Sequence, residues 1–304
     1  MELTILYPSQ GNDNTEVKMD ILVLGATGNT GSEVVRQLAQ AKADFGILAR
    51  SSEAAGKLDL RTEQVRIGSF DDTASLVSAM EGVGKIYVAM PAHPNNVQWI
   101  ENVVAAAKAA GVRQIVKLSG MGAKADAGSE IIRTHVATDD LVKGSGIAYT
   151  IVQPNSFFQN LYGSLATINS MGKFFLPLKQ AKQSVIDIRD VAAVIVTALT
   201  RDGHENQTYL VSGPEALTFA EQAAILSEVS GKQIDYVAVS QADAEAALKG
   251  AGMDDWSAEK LAEIMAWFGE GHYTEVTDTV EKVTGNKPRN FRDFAKEFAT
   301  VISR

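Results

Sequence analysis

The 304-residue chain reads as an α/β fold, a doubly wound parallel sheet with a smaller, mostly helical C-terminal lobe. Three observations predict it. Short apolar runs alternate with helix-length amphipathic segments through residues 19–155, the rhythm of strands joined by helical crossovers. The first run leads directly into a glycine-spaced turn that opens a helix. After residue 155 the alternation stops and helical patterns dominate.

The first strand is Ile21-Leu22-Val23-Leu24, a continuous apolar run as expected of a strand covered on both faces. The turn Gly25-Ala26-Thr27-Gly28-Asn29-Thr30-Gly31 follows, and the helix Ser32–Lys42 carries Val34, Val35 and Leu38 on one face. Strand, glycine turn and helix N-terminus in that order form a Rossmann-type site for a dinucleotide pyrophosphate. Gly25 permits the tight turn, Gly28 lets the backbone approach the phosphates, and Gly31 lets the helix pack on the strand. Thr27, Asn29 and Thr30 fill the gaps, and the free amides and helix dipole face the anion. The glycines are spaced two-and-two rather than the one-and-two of most dehydrogenases. A glycine-rich turn without a ligand is the plain alternative, but it does not explain the small polar residues.

The second strand, Phe45–Ala49, ends at Arg50, Ser51 and Ser52. An acidic residue here would bind the ribose 2′-hydroxyl of NAD. A guanidinium with neighbouring hydroxyls suits a 2′-phosphate instead, a charge-assisted contact of roughly 1.5–3 kcal/mol. NADP(H) is therefore expected in preference to NAD(H). Val65–Ile67 is the third strand; Phe70 beyond it either stacks on the adenine or packs within the protein. Then come a helix at Thr73–Glu81, a strand at Ile86–Ala89, a helix at Val97–Ala110, a strand at Gln114–Leu118, a helix at Ile131–Lys143 and a strand at Tyr149–Val152. Ligands of such sheets bind at the carboxyl ends of the strands, so the residue following each strand is a site candidate.

Beyond this the spacing predicts helices at Arg189–Thr200 and Thr218–Ser230, the second opening on the capping box Thr218-Phe219-Ala220-Glu221. Tyr209–Val211 and Ile234–Val239 read as short strands, and residues 240–303 as mostly helical. The expected organisation is an N-terminal extension at 1–18, a dinucleotide-binding domain at 19–155, and a substrate lobe at 156–304 with some elements returning to the main sheet.

Acidic residues outnumber basic ones, 37 to 28, for a net charge of −9, which argues against nucleic acid or anionic membrane as partner. There is no cysteine, hence no disulfide, thiolate zinc site or cysteine nucleophile. No histidine–carboxylate cluster has metal-ligand spacing. No apolar stretch is long enough to span a bilayer, and residues 1–18 lack the basic start and apolar core of a secretory signal. A cytoplasmic location is expected.

Five segments are similar to the NmrA-like branch of the atypical short-chain dehydrogenases, most like the group containing triphenylmethane reductase and type 2 quinone oxidoreductase. They are GATGNTG at 25–31, VKLSGMGA at 116–123, HVATD at 135–139, YTIVQPNSFFQNL at 149–161 and VTGNKPRNFRDFA at 283–295. The resemblance implies an NAD(P)-binding oxidoreductase. It implies the phosphate loop at 25–31, the NADP-selecting role of Arg50, and passage of the nicotinamide ribose by Ala89, Met90 and Pro91. It places Ser119 where other members keep a catalytic serine. It sets Pro154, Asn155, Phe157 and Phe158 beside nicotinamide and substrate. Two departures stand out. The Tyr-x-x-x-Lys pair of many members is replaced by Ile131 and His135, and Gln153 replaces the usual arginine before Pro154.

Without a tyrosine acid, ketone–alcohol interconversion lacks a proton donor worth typically about 10²–10⁴-fold. Acceptors that form no localised alkoxide remain open: quinones, cationic imine-like dyes and other conjugated aromatics. His135 is the candidate to hydrogen-bond the nicotinamide ribose or the substrate and to relay a proton near neutral pH; a helix histidine that merely packs is the plain alternative. Ser119 orients substrate or bonds its own backbone, Lys117 reads as structural, and His93 lines the cleft or is solvated. The later aromatics (Tyr162, Phe174, Phe175, Trp256, Trp267, Phe268 and Tyr273) either wall a pocket for a flat aromatic substrate or, for most of them, form core; Phe157 and Phe158 are the pocket candidates. The leading reading is an NADPH-dependent reductase of a quinone-like, imine-like or other conjugated aromatic acceptor. The alternative is a non-catalytic NADP(H)-binding redox sensor that controls a regulatory protein partner. A nucleotide-sugar epimerase shares the fold but needs the absent tyrosine.

Overall fold

The structure, a computed structural model, describes residues 19–302 except 57 and 59; the expected extension at 1–18 lies outside the described residues. The chain runs β1 (Ile21–Leu24), α1 (Asn29–Gln40), β2 (Phe45–Ala49), α2 (Ser52–Ala55), β3 (Val65–Ile67), α3 (Thr73–Met80), β4 (Lys85–Val88), α4 (Asn96–Ala110), β5 (Gln114–Leu118), α5 (Glu130–Lys143) and β6 (Ala148–Pro154). A 3₁₀ turn at Phe158–Ser164 leads to α6 (Leu165–Met171), β7 (Lys173–Leu176), β8 (Lys182–Gln183), α7 (Ile188–Thr200), β9 (Gln207–Val211), β10 (Leu217–Thr218), α8 (Phe219–Ser230) and β11 (Asp235–Ala238). The chain closes with α9 (Gln241–Gly250), α10 (Asp255–Phe268), α11 (Thr279–Thr284) and α12 (Phe291–Ala299).

The main sheet has seven parallel strands in the order β3-β2-β1-β4-β5-β6-β9. Strand order reverses between β1 and β4, so their carboxyl ends open a crevice at this switch point. Both faces are covered. Val34 and Leu38 of α1, Val191 and Ile195 of α7 and Val280 of α11 pack on one side. Leu76 of α3, Val103 of α4 and Val142 of α5 pack on the other. Helices on both faces explain why β1 is apolar along its whole length.

The C-terminal half divides its elements. The strand at the β6 edge, β9, and the helices α7 and α11 join the main sheet, while the rest builds a lobe with its own core. That core gathers Phe158, Phe174, Phe219, Leu226, Phe291, Phe294 and Phe298. Two small sheets brace it, β7 with β11 in parallel and β8 with β10 antiparallel. The capping box on α8 forms: Thr218 Oγ1 accepts from Glu221 N at 3.1 Å, and Glu221 Oε2 accepts from Thr218 N at 2.7 Å.

Candidate active site

The glycine turn is built by close approach. Gly25 has φ +85°, and a Cβ on it would lie 2.1 Å from the Ala89 carbonyl oxygen beyond β4. A Cβ on Gly31 would lie 2.1 Å from the Gly25 oxygen. These two glycines are required by the protein's own packing. Gly28 is not: a Cβ there would meet only the Gly25 oxygen, at an ordinary 3.5 Å. Gly28 N-caps α1 with no capping side chain, and the first turn holds no acidic residue. The amides of Asn29, Thr30 and Gly31 reach no other described backbone carbonyl, as expected for the first turn of a helix. An uncapped positive helix end beside an exposed Thr27-Gly28-Asn29 backbone fits a phosphate group. Thr30 is buried at 6 % exposure, so its side chain belongs to the core and only its amide faces this end.

At the carboxyl end of β2, Arg50 is exposed and its side chain bonds no described residue. The Ser51 hydroxyl accepts from Ala54 N at 3.2 Å and starts α2. Phe70 stacks on Trp99 of α4, ring centroids 5.7 Å apart, and its carbonyl accepts from Asn102 Nδ2 at 2.8 Å. Packing within the protein therefore takes one face of Phe70.

Beyond β4 and β5 lies a cavity of about 110 Å³. Met90 and Asn96 line it from one side, Lys117 from β5, Ile131 and His135 from α5, and Trp256 from α10. Ile131 and His135 are one helical turn apart and face the same space. His93 also borders it and stacks on Trp99 at 4.3 Å. Trp256 is held over α5 by α10, whose Lys260 pairs with Glu130 at 2.9 Å and whose Glu263 accepts from the Glu130 amide at 2.5 Å. Asn96 Nδ2 donates to the Pro91 carbonyl at 3.0 Å. Asn96 Oδ1 is buried and has no hydrogen-bond partner among the described residues.

The His135 ring lies against Gly120, where a Cβ would sit 3.0 Å from the imidazole. Burial first, and the charge of Lys117 second, push its pKa down to about 4, against the opposing pull of Asp139. The imidazole is therefore neutral at pH 7. This corrects the expectation of a proton relay near neutral pH: the ring offers a neutral donor and acceptor instead.

Behind this wall sits a buried polar cluster. Lys117 Nζ donates to Asp139 Oδ1 at 2.7 Å. Asp139 Oδ2 accepts from the Ser119 hydroxyl at 2.8 Å and from Gln153 Nε2 at 3.0 Å. Burial draws the Lys117 pKa below its ordinary value, and Asp139 opposes the shift.

Several predicted site residues prove to be occupied by the fold. Ser119 is 5 % exposed and its hydroxyl serves Asp139, so it is not offered to the cavity. Asn155 donates to Ser184 Oγ and to the Tyr273 carbonyl and accepts from the Ser156 amide; it ties the lobe to the sheet. Phe158 is 3 % exposed and packs against Phe291 and Phe294 in the core of the lobe. Phe157 packs against the main core and forms a bridge to Ile186. Pro154 is buried and its carbonyl accepts from Met121 N at 2.8 Å. Ala89 backs Gly25, and Pro91 holds Asn96. Sequence reasoning missed Asn96, Asp139 and the lining role of Lys117, and it did not single out Trp256 from the aromatics that could wall a pocket. A lysine at a core position of a central strand was the available signal, since an unpaired buried charge is not tolerated.

No helix among the described residues is long and apolar enough to cross a membrane. The sequence profile of the NmrA-like family matches residues 17–299. An NAD(P)H azoreductase from Xenophilus azovorans is 43 % identical over 282 residues, 93 % of this chain and 99 % of the relative. The structure of NADPH-dependent quinone oxidoreductase from Escherichia coli complexed with NADPH superposes with a TM-score of 0.84 at 28 % identity, covering 91 % of this chain and 99 % of the other. Triphenylmethane reductase from Citrobacter sp. complexed with NADP(H) gives a TM-score of 0.79 at 27 % identity, covering 92 % and 99 %.

Proposed function

The chain belongs to the NmrA-like family, and from that premise we propose that it is an NADPH-dependent reductase of conjugated aromatic acceptors such as quinones, azo compounds and imine-like dyes. One observation carries the reading: the uncapped α1 N-terminus and the His135–Trp256 cavity open at the same end of the same sheet. The amides of Asn29, Thr30 and Gly31 hold the pyrophosphate. Arg50, whose side chain bonds no described residue, holds the 2′-phosphate and selects NADPH over NADH. When bound, the reduced nicotinamide supplies two electrons and a hydrogen as hydride.

The protein's own part is to bind, orient and exclude water. Met90, Ile131 and Trp256 form the apolar and aromatic walls for a flat ring. Neutral His135 hydrogen-bonds an oxygen or nitrogen of the acceptor or a ribose hydroxyl. Asn96 Oδ1 accepts from a donor on whatever fills the cavity. No residue here replaces the missing tyrosine acid, and this suits acceptors whose added charge is delocalised. The single proton that balances the hydride then comes from water.

The test is a panel of a quinone, an azo dye and a triarylmethane dye with NADPH, followed at the nicotinamide absorbance band. Turnover of at least one acceptor class is expected. Tight NADPH binding with no acceptor reduced would sink the reductase reading in favour of a sensor.

A further inference from the structure

Among the described residues, Lys117 is the one lysine, arginine or carboxylate lining the cavity, while its counter-ion Asp139 stands outside the lining. Asp139 is held there by two more donors, Ser119 and Gln153, both on Oδ2. Of the two partners of this ion pair, Lys117 borders the cavity and Asp139 does not. On this shared wall the push of Lys117 on the His135 proton exceeds the pull of Asp139, and burial strengthens both because little solvent screens them.

We propose that Lys117 sets the charge preference of the site, favouring an acceptor that becomes anionic on reduction over one that arrives as a cation. The inference rests on the reductase reading above and names the acceptor class within it. The chemistry separates the two classes. A neutral quinone takes hydride as the C–H bond of the reduced nicotinamide breaks and a bond from that hydrogen to the quinone forms. The quinone is reduced by two electrons and becomes a hydroquinone monoanion, which then takes one proton from water. A triarylmethyl cation takes the same hydride at its central carbon and becomes neutral, with no anion at any stage. A positive wall lowers the barrier for the first and weakens binding of the second.

The test needs a readout besides turnover. With NADP⁺ present, 4-nitrophenol is titrated with each protein, because its ionisation is visible in its absorption spectrum. Bound to the wild type, the phenol should ionise about one pH unit lower than in water, a roughly tenfold preference for the anion. Lys117→Met should abolish that shift. Its stranded carboxylate is destabilising, so Lys117→Met/Asp139→Asn, which leaves no buried charge unpaired, is measured alongside and should behave the same way. In turnover, the kcat/KM ratio of a neutral quinone to a cationic triarylmethane dye should fall about tenfold in both variants. Identical phenol ionisation in all three proteins, or wild type that binds the dye and not the phenol, overturns the role of Lys117 and leaves the reductase reading standing. A wild type that reduces no acceptor overturns that reading, while the phenol titration still decides the charge preference.

Discussion

Arg50 bonds none of the described residues and so has no contact with them to release before it binds an anion, which leaves nearly all of its contact energy available to a 2′-phosphate. Arg50→Ala should weaken NADPH by about 10–100-fold and leave NADH almost unchanged, as read by fluorescence titration. Equal losses for the two cofactors would remove Arg50 from this role. The position of Arg50 at a strand end made it legible in the sequence. His135 was legible as a candidate but its charge state was not, because the burial that sets it comes from elements far apart in the chain. Its depressed pKa has a consequence for stability. Between pH about 6.5 and about 4 the unfolded chain binds the proton and the folded one does not. The contribution is thus fully present above the unfolded value and is lost as pH falls through this window. His135→Asn, which cannot titrate, should lose about 2–3 kcal/mol less stability between pH 7 and pH 4 than the parent. Urea unfolding at the two pH values checks this, and parallel losses would place the ring in a more solvated setting.

At the scale of the element, the β1–α1 turn separates structural from ligand-facing glycines. Gly25→Ala forces a side chain to positive φ and into the Ala89 carbonyl, at a cost of about 2–5 kcal/mol. Gly28→Ala meets only an ordinary contact, so its urea midpoint should stay near that of the parent while NADPH binding weakens. If both variants kept full affinity, the phosphate would not lie on this turn. The roof element, α10, makes a different prediction. Trp256→Ala should raise KM for aromatic acceptors about tenfold, since an aromatic contact is worth about 0.5–1.5 kcal/mol beyond its area, with the affinity for NADPH retained. A parallel loss of cofactor affinity would show that Trp256 faces the dinucleotide. The six strands read from Ile21 to Val152 appear in place because each is a short, mainly apolar segment set off by its spacers. Strands β8 and β10 were not legible: two residues each, they carry no periodicity and exist only through their pairing. The Trp256 roof was hidden for a related reason, since nothing local tells a helix which cavity it will cover.

At the scale of the whole molecule, the main sheet and its core cross the boundary expected near residue 155, because β9, α7 and α11 join them. The return of some later elements to the sheet was legible, but which ones was not. The edge strand β9, with only its last residue buried, has the pattern of any short edge strand. The helix α7 has Val191, Val194, Ile195 and Leu199 in the same core as β1 and α1. A fragment of residues 19–155 would lack these four side chains, together with β9 and α11. At about 1.5–3 kcal/mol for each buried aliphatic side chain, the four alone amount to about 6–12 kcal/mol. That is comparable with the whole stability of an ordinary domain, about 5–15 kcal/mol. The fragment would also expose the β6 edge to pairing with other chains. It is therefore expected to aggregate or to lack a cooperative thermal transition and NADPH binding, even though it contains the entire phosphate turn and Arg50. The complete chain should melt in a single transition that NADPH moves upward, because ligand that binds only the folded state stabilises it by mass action. Circular dichroism melts of both proteins, with and without NADPH, decide the matter. A 19–155 fragment that melts sharply and is stabilised by NADPH would mean that α7 and β9 cover a sheet already able to stand alone.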